Sequence, residues 1–442
     1  MTSRSEPADH SAAQTQVRQL VWALLLLGGV VACAVPGTTT REEPRAAEEP
    51  PRFATGGPDA VEFGASMGYP KGDRATFYDI GSVVGSHSHL DEIFHARLIR
   101  KAPTPSRLVR VVEPRITWRF QDADLTLDDY LERTPTTGLL IARGDTILVE
   151  RYQYGRTDRH RFTSWSMAKT VTAMLVGIAI AESRIRSVDD PAAAYVPELA
   201  GTEYGRTSLR HLLQMSSGVR FSEEYTGTDD VARLVANTYL LQGAGGPSAV
   251  TPFNERAATA GTKFSYASVE TQVLGLVLRA ATNRPPAEYL ESRIWQLIGA
   301  EADATWLIDN SGQEATYCCL NAVLRDYARL GLLLAHDGNW HGRQITPAAW
   351  VRDATTARAD QPQPRPGGLS PLFGYGYGYQ TWILPGEHRM FVFWGVRGQR
   401  IYVDPQSKLV MVNTAVHKQS VDLAAIRRMD ALWSSLVRQL GG

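Results

Sequence analysis

The chain has 442 residues, more than a usual single core, with 43% hydrophobic and 21% charged residues, so it is neither globally disordered nor a small disulfide scaffold. Forty-six basic residues balance 46 acidic ones, which removes the basic excess expected of a nucleic-acid binder or of a protein held electrostatically on anionic lipid. Only six of those basic residues are lysines, so a lysine inside an apolar segment stands out.

Leu20 to Ala32 is a run of 13 apolar residues preceded by Arg18. It is short for a membrane span and right for a signal-peptide core. Val30-Val31-Ala32-Cys33 resembles the lipobox of bacterial lipoproteins. That resemblance implies residues 1–33 as a signal peptide, Cys33 as a lipidated N-terminus, and export to the bacterial cell envelope. A plain secretion signal and an uncleaved anchor are the alternatives. Residues 34–59, rich in Pro, Glu, Thr and Gly, read as a flexible linker. Residues 60–125 read as an irregular extension packed on the main domain, 126–442. The extension carries His87, His89, Asp91 and His95. Zinc needs three or four convergent ligands, so a contact segment is expected there and no metal. Cys318 and Cys319 are expected as packed thiols, because adjacent cysteines close only a strained ring.

In the main domain, Gly138–Arg143 and Thr146–Tyr152 flank Gly144-Asp145 and predict a hairpin. Thr170 to Ala181 is apolar almost all round and predicts a helix buried on every side. Residues from about 188 to 335 read as a mostly helical lobe, with helices over Leu209–Met215, Asp229–Leu241, Ser268–Thr282, Pro286–Ile298 and Ala322–His336. Strands are expected at Tyr379–Leu384, Met390–Trp394, Gln399–Asp404 and Lys408–Val416, then a closing helix over Val421–Leu440. The fold class is therefore α+β: one antiparallel sheet from the early and late strands, flanked by helices, with an inserted helical lobe.

Three separated segments carry chemistry. Ser166 and Lys169, three apart at the start of the buried helix, share one face. A serine hydroxyl needs a base beside it, and a dehydrated lysine has a lowered pKa that suits that task. The plainer alternative is a snorkelling lysine below an N-capping serine. Tyr266-Ala267-Ser268 sits where a loop enters a helix, and its phenol can relay a proton. The alternative is a packing tyrosine with an N-cap serine. Trp394-Gly395-Val396-Arg397-Gly398 borders a late strand, where glycine lets a backbone N–H approach a carbonyl and complete an oxyanion hole with the Ser166 N–H. An ordinary β-turn is the alternative.

Together these segments resemble the β-lactamase-related serine hydrolases of the class C and DD-peptidase type, and within them the 6-aminohexanoate-dimer hydrolase branch. The resemblance runs from about Thr137 to the C-terminus. It is carried by Ser164-Trp165-Ser166-Met167-Ala168-Lys169, Leu212-Leu213-Gln214-Met215-Ser216-Ser217-Gly218-Val219, Phe264-Ser265-Tyr266-Ala267-Ser268 and Gly374-Tyr375-Gly376-Tyr377-Gly378. It implies a β-lactamase/DD-peptidase-like fold and a small amide or ester as substrate, with no cofactor. Ser166 would be the acylated nucleophile, Lys169 its base, Tyr266 a proton relay, and Val396 or its neighbour the second oxyanion donor. Tyr225, in Ser222-Glu223-Glu224-Tyr225, matches a substrate-contacting position, and Arg397 offers a fork of donors for a substrate carboxylate. A loop aromatic and an exposed arginine are the alternatives. The Lys-Thr-Gly triad of β-lactamases is absent, with Trp394-Gly395-Val396 in its place, so β-lactam turnover is not expected. The same residues would also serve an envelope sensor that acylates at Ser166 without turnover.

Overall fold

In a computed structural model, the described residues are 49–358, 360 and 374–441. The signal segment, Cys33 and the linker up to residue 48 lie outside them. The expected hairpin forms as β1 (Thr136–Arg143) and β2 (Thr146–Tyr152). The late strands are β3 (Phe391–Trp394), β4 (Arg400–Asp404) and β5 (Leu409–Ala415). β5 pairs antiparallel with β1, so chain start and chain end share one sheet in the order β2-β1-β5-β4-β3. Beyond β3 it continues through Trp382–Ile383 and Gly376–Tyr377.

Two corrections arise at the other edge. Arg52–Phe53 and Val109–Arg110 both pair in parallel with β2, so the sheet is mixed rather than antiparallel throughout. Residues 49–59, expected within a flexible linker, are held there: the Ala54 N–H donates to Tyr152 O, and Glu49 accepts from the Glu113 N–H. An exposed strand edge is a row of unpaired backbone groups, and these two-residue pieces cover it.

The inserted lobe is less purely helical than expected. Ala304–Leu307 and Leu320–Ala322 join Ala96–Ile99 of the extension and Phe162–Thr163 in a second, four-stranded sheet. This small sheet sets Tyr317 to Leu320 beside the approach to Ser166. The expected helices at Asp229–Leu241 and Pro286–Ile298 are shorter, Asp230–Val235 and Pro286–Leu290, and each passes into a wider turn.

Four helices frame the site: α1 (Ala168–Ala181), α2 (Ser268–Thr282), α3 (Leu324–Ala335) and α4 (Leu423–Leu440). α1 is buried from Ala168 to Ala179, as its apolar circumference requires. α3 lies on one face of the main sheet, and Gly331 permits close contact: a Cβ there would fall 2.7 Å from Val410 and 2.8 Å from Ile401. α4 covers the other face, with Trp433 stacked on Tyr402 at 5.4 Å. Among the described residues no helix is long and apolar enough to cross a membrane.

Candidate active site

Strand Phe162–Thr163 feeds a single tight turn, Trp165–Met167, which leads into α1. Trp165 takes φ 42°, the left-handed region, at a cost of roughly 1–3 kcal/mol for a bulky residue. Packing holds it there: its ring stacks on Tyr78 at 5.6 Å and meets His87 edge-on at 5.3 Å. Ser166 therefore sits before the helix proper, partly exposed, while Trp165 and Met167 on either side are buried.

Lys169 is 1% exposed, so the snorkelling alternative is wrong for this chain. Its Nζ lies 2.8 Å from Ser166 Oγ, 2.9 Å from Ser268 Oγ and 3.0 Å from the Tyr317 carbonyl. Burial pulls its pKa down to about 8, with the Glu223 carboxylate working in the opposite sense. A free amine is thus accessible near neutrality, in contact with the serine. The Tyr266 ring centroid is 5.0 Å from the same nitrogen. Burial raises the Tyr266 phenol well above its ordinary range; Glu223 adds to this and the Ser166 hydroxyl opposes it. Tyr266 is therefore a neutral O–H next to the nucleophile, able to pass a proton but not to hold a charge.

The direction of the Val396 N–H follows from strand geometry. The Gly395 N–H donates to Gln399 O, and the Gly395 carbonyl accepts from the guanidinium of Arg400, so both groups face the neighbouring strand. Across a trans peptide the Val396 N–H must point the other way, to the open edge. It has no acceptor among the described residues, and neither does the Ser166 N–H, whereas the Arg397 N–H is committed to Ser420 O. Of the two neighbouring N–H groups, the one at Val396 is therefore left open. Gly395 sits so close to the nucleophile turn that a Cβ would fall 2.4 Å from Ser164 O. Arg400, 2% exposed and 4.0 Å from the Trp394 ring centroid, holds this peptide from behind.

Tyr225 is half-buried at φ 59° and donates through its hydroxyl to Glu223 Oε1 at 2.9 Å. Arg397 is half-buried too: its Nη1 donates to the carbonyls of His417 and Lys418, and its guanidinium lies 5.1 Å over the Tyr78 ring. Tyr78 is 40% exposed, with its ring against Trp165 and Arg397, and desolvation pushes its phenol up to about 12. The extension thus forms one wall of the site. Its histidines diverge. His87 is buried against Trp165, His89 Nδ1 faces Gly85 O, His95 meets Gln242, and Asp91 is taken by Arg161 and Thr305. Among the described residues no group of three His, Cys, Asp or Glu is placed to hold a metal.

Cys318 and Cys319 are joined by a disulfide, which corrects the expectation of packed thiols. The neighbouring backbone is pinned by Lys169 on Tyr317 O, by Trp306 on Cys318 O and by Ser164 on Leu320, and Cys319 adopts φ 65°. Those anchors set the two sulfurs side by side.

Glu223, Ser268, the Tyr317 carbonyl, Tyr78 and Arg400 escaped sequence reasoning as site elements. Ser268 was visible as the third residue of Tyr-Ala-Ser, but it is not the N-cap of the plainer alternative: α2 begins after Ala267, and the Ser268 side chain turns to Lys169 and Glu223. A carbonyl leaves no trace in a residue pattern, and Glu223 looks like any loop acid.

A mixed sheet with an inserted helical lobe, and a serine and buried lysine one turn apart where they meet, define the β-lactamase and penicillin-binding-protein-like fold class. The chain belongs to the Beta-lactamase family, whose profile matches residues 123–431. Over 290 residues it is 27% identical to the 6-aminohexanoate-dimer hydrolase of Paenarthrobacter ureafaciens, covering 65% of this chain and 74% of that protein. A Bacillus anthracis structure provisionally named a 6-aminohexanoate-dimer hydrolase superposes with a TM-score of 0.73 at 23% identity, covering 83% of this chain and 96% of the other. A family VIII carboxylesterase superposes with a TM-score of 0.51 at 16% identity, over 69% and 93% of the two chains.

Proposed function

We propose that the protein is a serine hydrolase that cleaves a small amide or ester through a Ser166 acyl-enzyme, with linear amides such as 6-aminohexanoate dimer the first class to test. The observation that carries this is the 2.8 Å contact between Ser166 Oγ and the buried Lys169 amine. As Ser166 attacks the substrate carbonyl, its proton passes to Lys169. The Ser166 and Val396 N–H groups hold the oxyanion. Tyr266 hands a proton to the departing amine or alcohol, and water then releases the acid. Tyr225 and Arg397, both on the cleft wall, are the proposed substrate contacts, with Arg397 suited to a carboxylate. The amide reading draws support from the Paenarthrobacter relative's name, and the ester reading from the carboxylesterase of like fold.

The test is steady-state hydrolysis of p-nitrophenyl butyrate and of 6-aminohexanoate dimer by wild type and Ser166→Ala. Turnover of at least one substrate, reduced at least about a thousandfold in the variant, is expected. Equal rates in the two proteins refute the proposal.

A further inference from the structure

Lys169 Nζ touches three oxygens, and the partners of those oxygens restrict how its protons are shared. Ser268 Oγ lies 2.7 Å from Glu223 Oε1, and the Ser268 N–H donates to Glu223 Oε2 at 2.6 Å. The Tyr225 hydroxyl donates to Glu223 Oε1 as well. Glu223 thus gathers three donors and, as a carboxylate, only accepts.

We propose that Glu223 is a positioning residue that fixes the direction of the first proton transfer, by accepting the hydrogen bond of the Ser268 hydroxyl and so turning the Lys169 lone pair onto Ser166. This rests on the hydrolase reading above and adds a residue to it. Ser268 has one proton. While that proton is donated to Glu223, Ser268 Oγ can only accept from Lys169. The Tyr317 carbonyl can only accept too. A neutral lysine has two N–H bonds, and both are then committed. The remaining tetrahedral position, the lone pair, faces Ser166 Oγ at 2.8 Å. The Ser166 O–H must therefore donate to Lys169, the direction an attack on a carbonyl requires. If Ser268 were free to donate to Lys169 instead, the lone pair would be spent on Ser268 and Ser166 would be left an acceptor.

Glu223 also acts on Lys169 through space. It favours the ammonium form, opposite to burial, and its charge is the one that moves this amine among the described residues. The other groups facing the amine are the neutral phenols of Tyr266 and Tyr317, with ring centroids at 5.0 and 5.7 Å. Removing the Glu223 charge therefore has two separable effects. It loosens the orientation, which lowers the rate reached at high pH. It also eases deprotonation of Lys169, which moves the rise in reactivity to lower pH. A purely structural role for Glu223 gives the first effect without the second.

The experiment is the second-order rate of Ser166 labelling by a small alkyl fluorophosphonate, followed by intact mass from about pH 6 to about pH 10, which brackets the lysine. In this reaction an Oγ–P bond forms, the P–F bond breaks, fluoride leaves and the serine proton goes to Lys169. Wild type is expected to gain reactivity as pH rises through about 8. In Glu223→Gln the rise is expected roughly 1 pH unit lower, with a plateau about tenfold below wild type. Ser268→Ala keeps the charge and removes the bridge, so its rise stays in place while its plateau falls about tenfold. A rise unmoved in folded Glu223→Gln overturns the proposal and leaves the hydrolase reading standing. An unchanged plateau in Ser268→Ala also overturns it, whether or not Glu223→Gln folds. Wild type unlabelled at every pH overturns both readings together.

Discussion

At the residue scale, the site depends on buried polar groups that act on one another's orientation more than on added contacts. Arg400 shows this most directly. A guanidinium placed almost entirely out of water is costly unless its donors are used; here Nη1 holds the carbonyls of Gly395 and Gln399, while Nε has no partner among the described residues. Holding the first of these sets the peptide plane that aims Val396 at the cleft. Arg400→Met preserves much of the packing on Trp394 and releases that plane. With Val396 as the proposed oxyanion donor, kcat is expected to fall about tenfold to a hundredfold with KM nearly unchanged, because such a donor is used in the transition state rather than in the ground state. Steady-state kinetics on a p-nitrophenyl ester check this, and a loss confined to KM contradicts it. Lys169 and Tyr266 obey the same rule. Burial makes the first an accessible amine and keeps the second protonated, which suits them to the proposed roles of base and relay.

At the element scale, α2 carries Ser268 to the site and a second buried acid behind it. Glu270 is 1% exposed, its Oε2 has no partner, and burial raises its carboxyl well above the ordinary range against the pull of the Ser217 hydroxyl and N–H. The folded chain therefore keeps a proton on Glu270 at pH values where the unfolded chain releases it. Stability from this group is full below the ordinary carboxylate range and declines as pH rises above it toward the folded-state pKa. Glu270→Gln removes that decline. Thermal unfolding is expected to show the Gln variant gaining on wild type as pH rises above the ordinary carboxylate range; a gap that stays constant or reverses contradicts it. α2 was legible in sequence to the residue, over Ser268–Thr282, as were the hairpin, the late strands and the closing helix to within a few residues, because long periodic segments carry their own pattern. The strands Arg52–Phe53, Val109–Arg110 and Leu320–Ala322 were not. Runs of two or three residues have no period to read, and they are strands only because a neighbour's edge is free.

At the scale of the whole molecule, the proposed reacting groups were legible in the sequence and the side chains that support them were not. Ser166, Lys169 and Tyr266 meet as their spacing and family resemblance implied, and the Val396 register follows once the Arg397 N–H is seen bound elsewhere. Glu223 reaches Ser268 across 45 residues of sequence, a separation no motif records, and nothing in the run from Gly395 to Arg400 shows that the arginine turns back onto the Gly395 carbonyl. The extension was the larger surprise: expected only as a packing segment, it places Tyr78 over Arg397 and against Trp165, and so shapes the cleft beside the nucleophile. The claim on which everything else rests is that Ser166 becomes acylated and then turns over. The direct measurement is rapid acid quench of wild type during p-nitrophenyl butyrate hydrolysis, followed by peptide mass analysis. The account predicts a butyryl group on the Ser166 peptide during turnover, gone once substrate is exhausted, and none in Ser166→Ala. Turnover that proceeds at the wild-type rate in Ser166→Ala, with no butyryl group on the wild-type Ser166 peptide, would contradict it.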